Sequence, residues 1–343
     1  MKRLLVVRLG SLGDLVHTLP AVSAIHRTFP AAEIDWLVDA PHRDFLALVP
    51  LLASVIVLRD RSAGAWLAAR SELRARAYDV ALDFQGLLKS AALARLSGAQ
   101  RVIGFTRKAA REGLAAPFYS TRVEAGAGQH VIEKNLALAG SIGAATDALE
   151  FPLIETDTRV VTTVRESLAR AGLSAHYALI NPGAAWPNKR WPSTAFGRVT
   201  ARIRDRHGLA SIVLWGPGEQ EIAGTIVQAS EGAAVAAPET SLHDLVALAR
   251  HARLIVSGDT GPLHIAAAVG VPAVGLFGPT NPRRNGPWNE QDLSLSRYDV
   301  CDCHYERRCR RDDEHWCLGS ISVDEVAAAI DRRLRQAVNP ATA

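Results

Sequence analysis

Short, nearly unbroken apolar runs alternate along this chain with longer amphipathic stretches, and small-residue turns stand between them. In the first half the apolar runs predict strands at Leu4–Val7, Glu33–Val38, Ser54–Leu58, Val80–Asp83 and Arg101–Gly104. In the second half they predict strands at Tyr177–Asn181, Ser211–Trp215, Val235–Ala236, Leu254–Ser257 and Ala273–Phe277. Strands apolar on both faces and separated by helices form parallel sheets covered on both sides, so the fold class is α/β and doubly wound. The rhythm lapses from Phe151 to Thr158, a linker candidate that divides the chain into domains 1–155 and 156–343. A final helix from Val323 to about Val338 follows Ser322, with Glu325 three residues on, a capping box. This helix, about 322–338, is expected to end the fold, with packing back onto the first domain as one of its options.

With 343 residues, 48% of them apolar, the chain can build two cores of ordinary size. No eighteen-residue apolar run occurs; the longest stretch, Ile265 to Phe277, is broken by Gly270 and Pro272. The N-terminal run has four residues before Arg8 and no cleavable pattern, so it reads as a strand and a cytoplasmic protein is expected. A net charge of +4 favours an anionic substrate or the anionic face of a membrane; nucleic acid is not an expected partner. Thirty-four of the 39 basic residues are arginines, which weakens any single one as a signal and draws attention to Lys89 and Lys189.

The most informative stretch is Leu254–His264, L-I-V-S-G-D-T-G-P-L-H. A strand runs into Ser257, Gly258, Asp259, Thr260 and Gly261, and an apolar helical segment, Leu263 to Val269, follows. Pro262 fits a first helical turn, and the unpaired N–H groups of a helix start suit an anionic diphosphate. A strand–turn–helix connection whose Asp or Thr is only an N-cap fits this segment equally well. The N-terminus repeats the architecture: a strand, then Gly10-Ser11-Leu12-Gly13-Asp14, then a helix from about Leu15. Its G-x-x-G-D spacing departs from the dinucleotide fingerprint and places an acid where a pyrophosphate would lie, which argues against a nicotinamide cofactor. Asp14, at the tip of a glycine turn facing a crevice, suits a general base; a simple N-cap is the plainer reading.

Further strand ends carry Asn181-Pro182-Gly183-Ala184, Trp186-Pro187-Asn188-Lys189-Arg190-Trp191-Pro192 and Trp215-Gly216-Pro217-Gly218-Glu219. Lys189 there could neutralise a diphosphate leaving group, while Trp186 and Trp191 equally suit packing. After the fourth strand, Gln85 and Lys89 face the same kind of crevice, and Arg107, Lys108 and Arg111 form a basic group that also fits a solvated face. All four cysteines, Cys301, Cys303, Cys309 and Cys317, fall in one seventeen-residue window with His304 and His315 among them. Structural zinc, plain thiols and disulfides all remain open for this spacing, which is not one of the usual zinc patterns.

Taken in order, G-S-L-G-D, D-F-Q-G-L-L-K-S-A, the Asn-Lys-Arg-Trp-Pro loop, W-G-P-G-E, and S-G-D-T-G-P-L-H followed by L-F-G-P-T-N-P resemble glycosyltransferase family 9. This is the family of ADP-heptose:lipopolysaccharide heptosyltransferases. The resemblance runs from residue 1 to about 330, and D-F-Q-G-L-L-K-S-A with A-R-E-G-L-A is most similar to the heptosyltransferase I branch. It implies a GT-B architecture, two Rossmann-like domains facing across a cleft, with the acceptor in the first and the nucleotide sugar in the second.

By that resemblance Asp14 is the base that deprotonates a Kdo hydroxyl for inverting attack, and Lys189 stabilises the departing diphosphate. Thr260 and Gly261 supply backbone donors beside Pro262, Asp259 binds donor-sugar hydroxyls, His264 supports the site and Glu219 touches the nucleotide. Gly13, Gln85, Lys89 and Arg111 belong to the acceptor side. The expected substrates are ADP-heptose and a lipid-linked glycan, met by transient contact with the inner face of the cytoplasmic membrane. The chain has no D-x-D sequence, and no metal or other cofactor is expected to be required. The competing readings are a family 9 transferase with another donor or surface-glycan acceptor, a non-catalytic sugar-nucleotide binder, a nucleotide-sugar epimerase and a nicotinamide oxidoreductase. Asp14 together with Lys189 argues against the binder.

Overall fold

A computed structural model describes residues 1–126, 128–154, 159–309 and 316–338. It divides into two compact units, Met1–Ile154 and Glu155–Ala343. The first is built on a six-stranded parallel sheet: β1 (Arg3–Val7), β2 (Glu33–Asp39), β3 (Ser54–Leu58), β4 (Val80–Asp83), β5 (Arg101–Phe105) and β6 (Thr121–Val123), in the spatial order β3-β2-β1-β4-β5-β6. The second repeats the plan with β7 (Tyr177–Asn181), β8 (Ala210–Val213), β9 (Ala234–Ala236), β10 (Leu254–Gly258), β11 (Ala273–Phe277) and β12 (Leu293–Ser296), in the order β12-β11-β10-β7-β8-β9. Counted from each unit's own first strand, both sheets have the doubly wound order 3-2-1-4-5-6.

The central strands are closed on both faces, as their continuous apolar runs require. Leu4 to Val7 on β1, and Leu254, Ile255 and Val256 on β10, are fully buried. Each such Leu, Ile or Val contributes about 1.5–3 kcal/mol relative to its exposed state, which makes these strands the firm part of each unit. Sequence reading missed β6 and β12. Both are edge strands of three or four residues with half-exposed positions, T-R-V and L-S-L-S, and so lack the apolar run that marks the interior strands. The run assigned to Ser211–Trp215 forms its strand at Ala210–Val213; Leu214 and Trp215 already belong to the connection that follows.

The final helix spans Val323–Val338 as its capping box indicates: Glu325 N–H donates to Ser322 Oγ at 3.1 Å and Ser322 N–H to Glu325 Oε2 at 2.8 Å. Its apolar side, Val326 and Ile330, joins the core of the second unit with Val274 and Leu276 of β11. A buried ion pair at 2.8 Å between Arg333 Nε and Asp292 Oδ1 fixes it there. The helix therefore turns its apolar face to the second sheet. Of the linker candidate, residues 155–158 lie outside the described residues.

Candidate active site

Strand order reverses between β1 and β4 in the first sheet and between β7 and β10 in the second, and ligands in such sheets bind beyond the carboxyl ends of those strands. In the first unit the chain leaves β1 through Arg8, Leu9 and Gly10. The following helix, Leu12–Val16, begins inside the glycine turn rather than after it at Leu15. Asp14 consequently stands in the first helical turn instead of at a loop tip. Its Oδ2 accepts from the Ser11 N–H at 3.1 Å and the Ser11 hydroxyl at 3.2 Å, the arrangement that starts a helix. Its Oδ1 lies 2.5 Å from Arg8 Nη2, with the two side chains 17% and 7% exposed. Gly13 is buried in the same turn.

Around this carboxylate the structure adds residues that no motif announced. A Cβ on Gly10 would stand 2.7 Å from His42 Nε2, so a larger residue there would displace that ring. Burial pushes the His42 imidazole below its ordinary pKa; Asp39 and Asp14 pull the other way without reversing the shift. Lys89 Nζ is 3.2 Å from Asp39 Oδ2, and Gln85 Oε1 accepts the Leu9 N–H at 2.7 Å, which ties the ends of β1 and β4 together. Arg107, Lys108 and Arg111 are exposed. The last residue of β4, Asp83, is fully buried and accepts from the Tyr119 and Ser90 hydroxyls at 2.7 and 2.8 Å and from the Gln85 and Gly86 N–H groups at 2.9 and 3.2 Å. Burial drives its pKa up, and these neutral donors do not bring it back.

The second unit gathers most of its predicted residues into one network. Lys189 Nζ donates to Asp259 Oδ2 at 2.6 Å and to the Asp259 carbonyl at 3.3 Å, and its ammonium lies 4.7 Å from the centre of the Trp186 ring. Asp259 Oδ1 is 3.1 Å from His264 Nε2, Oδ2 accepts the Thr280 hydroxyl at 2.7 Å, and Asn285 Nδ2 reaches both oxygens at 3.1 Å. Burial raises the Asp259 carboxyl, but the His264 hydrogen bond and the Lys189 ammonium outweigh it and hold the group well below the ordinary carboxylate range. Asp259 thus points both oxygens at protein donors. A hydroxyl-binding role would have to share them.

Thr260 stands at the N-cap position of the helix Gly261–Ala268 without a side-chain capping bond, and the first turn contains Pro262 as the sequence indicated. Asn181 Nδ2, at the end of β7, donates to Ser257 Oγ at 2.9 Å and Thr260 Oγ1 at 2.8 Å, locking the turn to the neighbouring strand. The loop carrying Lys189 crosses directly over β10: a Cβ on Gly258 would be 2.7 Å from the Lys189 carbonyl. Glu219 accepts the Gly216 N–H at 3.0 Å and faces Arg190 at 3.6 Å, next to Lys189 in the chain.

The four cysteines are drawn together beneath that same loop. Cys301, Cys303 and Cys317 are buried, Cys309 packs against them, and all four are free thiols. Cys301 Sγ and Cys303 Sγ are 3.6 Å apart, too far for a disulfide. Burial pushes the Cys303 thiol up to about 12 and raises Cys301 and Cys317 as well. Asn188 Nδ2, one residue from Lys189, donates to the Glu306 carbonyl at 2.9 Å, so the cysteine segment underpins the lysine loop. Among the described residues no group of three or more His, Cys, Asp or Glu side chains is placed to hold a metal ion; His315 lies outside the described residues.

Residues 66–314 match glycosyltransferase family 9 (heptosyltransferase). The chain is 35% identical over 318 residues to lipopolysaccharide heptosyltransferase 1 of Pseudomonas aeruginosa, covering 90% of this chain and 87% of that protein. It is 29% identical to the enzyme of the same name from Escherichia coli K12, covering 85% of this chain and 92% of the relative. In structure it is similar to the E. coli heptosyltransferase WaaC with ADP, at 24% identity and a TM-score of 0.75, covering 99% of this chain and all of the other. A family 9 glycosyl transferase from Veillonella parvula gives a TM-score of 0.78 at 22% identity, with 98% and 97% covered. The two six-stranded parallel α/β sheets are those of the GT-B fold that these proteins share. The chain belongs to glycosyltransferase family 9, the heptosyltransferases, and is a glycosyltransferase.

Proposed function

We propose that the protein transfers heptose from ADP-heptose to a Kdo residue of lipid A, with inversion, in lipopolysaccharide inner-core synthesis. The observation that carries this reading is the Lys189 ammonium, held at 2.6 Å by Asp259 at the very start of the helix Gly261–Ala268. Cation and helix N-terminus together form a receptor for a diphosphate. The relatives named lipopolysaccharide heptosyltransferase 1 supply the acceptor chemistry, and a neighbouring structure from E. coli, at 25% identity, carries ADP-2-deoxy-2-fluoro heptose.

In this mechanism the Asp14 carboxylate takes the proton of the acceptor hydroxyl as its oxygen attacks the anomeric carbon. The bond from that carbon to the diphosphate breaks, and ADP leaves with the electron pair. Lys189 and the N–H groups of Thr260 and Gly261 neutralise the charge that develops there, so the reaction needs no metal or other cofactor. Pro262 has no N–H and shapes the turn. The first unit holds the acceptor through Gly13, Gln85, Lys89 and Arg111; the second holds the donor, with Glu219 on the nucleotide side and His264 and Asp259 fixing Lys189. The lipid-borne acceptor places the protein, as a peripheral enzyme, at the inner face of the cytoplasmic membrane. No helix among the described residues is long and apolar enough to cross one.

The test is ADP release from ADP-heptose with and without Kdo-lipid A, for the wild type and Asp14→Ala. The expected result is acceptor-dependent release that falls at least about 1000-fold in the variant. Release that ignores the acceptor, or survives in the variant, would remove the transfer reaction or the base respectively. Activity only with another sugar nucleotide or another core acceptor would redirect the substrate assignment within the family.

A further inference from the structure

We propose that Arg8 is a positioning residue for transfer: it holds the Asp14 carboxylate ionised and in one orientation before the acceptor arrives. The inference rests on the reading of Asp14 as the base. Arg8 follows β1 directly and is itself fixed on three sides. Its N–H donates to the Leu37 carbonyl at 3.3 Å, its carbonyl accepts the Trp36 indole N–H at 2.9 Å, and its Nη1 donates to the Phe84 carbonyl beyond β4. The backbone of Arg8 is thus tied to β2 and its side chain to the carbonyl that follows β4, and the guanidinium presents Nη2 to Asp14 Oδ1 at 2.5 Å. Ser11 holds the other oxygen through its N–H and hydroxyl. The carboxylate is gripped from both sides, yet its side chain keeps 17% of its surface exposed. Preorganisation of this kind is what a base needs if it is to meet a hydroxyl without first rearranging.

Two observations separate this role from that of an arginine serving only the fold. Arg8 Nε is buried and makes no hydrogen bond among the described residues, so the polar contacts of the guanidinium run through Nη1 to Phe84 and Nη2 to Asp14. The neighbouring cation candidate, His42, is pushed toward its neutral form by burial, against the pull of Asp39 and Asp14. The cation set against Asp14 is therefore the Arg8 guanidinium, whose planar fork reaches Oδ1 at 2.5 Å. The ion pair opposes protonation of Asp14 at rest, and the pull of the attacking hydroxyl must overcome it. Holding the base in place and limiting its basicity are thus set by one side chain.

The experiment compares Arg8→Ala and Arg8→Lys in the ADP-release assay, with guanidinium chloride at tens of millimolar as the rescue agent. In Arg8→Ala, kcat should fall about 100-fold with KM for donor and acceptor within about threefold, and guanidinium should recover at least about tenfold of the loss. Arg8→Lys, which keeps the charge and loses the planar fork, should fall about tenfold. Guanidinium should restore nothing to Asp14→Ala. A rise in acceptor KM at unchanged kcat, or an Arg8→Ala enzyme that folds and is not rescued, would overturn the proposal. A urea-unfolding cycle of Arg8→Met, Asp14→Asn and the double variant gives a readout independent of activity. Additive effects there overturn the clamp, whereas strong coupling in a wild type that releases no ADP would leave the clamp standing and remove the transferase reading instead.

Discussion

Asp83 and Asp259 occupy matching places in the two sheets: one ends β4, the other follows β10 by one residue, and both are buried beside the strand that starts their unit. Burial pushes both carboxyls toward the neutral form. At Asp83 the partners are two hydroxyls and two backbone N–H groups, and the pKa stays raised; at Asp259 they include Lys189 and His264, and it ends well below the ordinary value. Neutral donors can solvate a buried acid, but only a cation fixes its charge at this depth. The first acid braces a loop. The second carries a charge that keeps an ammonium in place.

Removing each acid by amide substitution should separate the two cases most sharply. Asp259→Asn leaves the half-buried Lys189 without its counter-ion and should cost about 3–5 kcal/mol in urea unfolding, whereas Asp83→Asn keeps a polar partner for its hydroxyls and should cost about 1–2 kcal/mol. Equal losses would erase the distinction. Next in size is Lys189→Met: ADP release should slow about 100- to 1000-fold while ADP-heptose binding, followed by calorimetry, weakens far less. Loss of binding without loss of kcat would make Lys189 a ground-state contact only.

The smallest effect is in pH. For Asp259 the folded pKa lies below the unfolded one, so its contribution is complete at neutral pH and is lost only as the pH falls below about 4. For Asp83 the folded pKa lies above, so the wild type should gain stability relative to Asp83→Asn as the pH falls toward about 4. Melting temperatures of the three proteins between pH 8 and about pH 3 give the slopes, and a wild type that loses ground to Asp83→Asn as the pH falls from 8 to about 4 contradicts the raised value.

Much of this was legible in the residues. Interior strands announce themselves because both faces must be apolar, and Leu4–Val7 or Ala273–Phe277 leave no other assignment. Thr121–Val123 and Leu293–Ser296 do not, since an edge strand needs only backbone partners on one side. Motif spacing and the family resemblance singled out Asp14, Lys189, Asp259 and His264, but not how they are engaged. Arg8 was one of thirty-four arginines, His42 lay in no pattern, and Thr280 and Asn285 reach Asp259 from 21 and 26 residues away. Whether an acid faces solvent or is already spent on its neighbours depends on which distant side chains the fold returns to it. Periodicity carries no record of that.

The crossing at Gly258 leaves space for a hydrogen atom and nothing more between β10 and the Lys189 carbonyl. A methyl group there would not break the strand, whose pairing with β11 runs through backbone groups, but it would lift the loop and carry the ammonium off its acid. Position 258 therefore acts as a spacer of fixed thickness, and its missing side chain sets how close the charge comes to the strand.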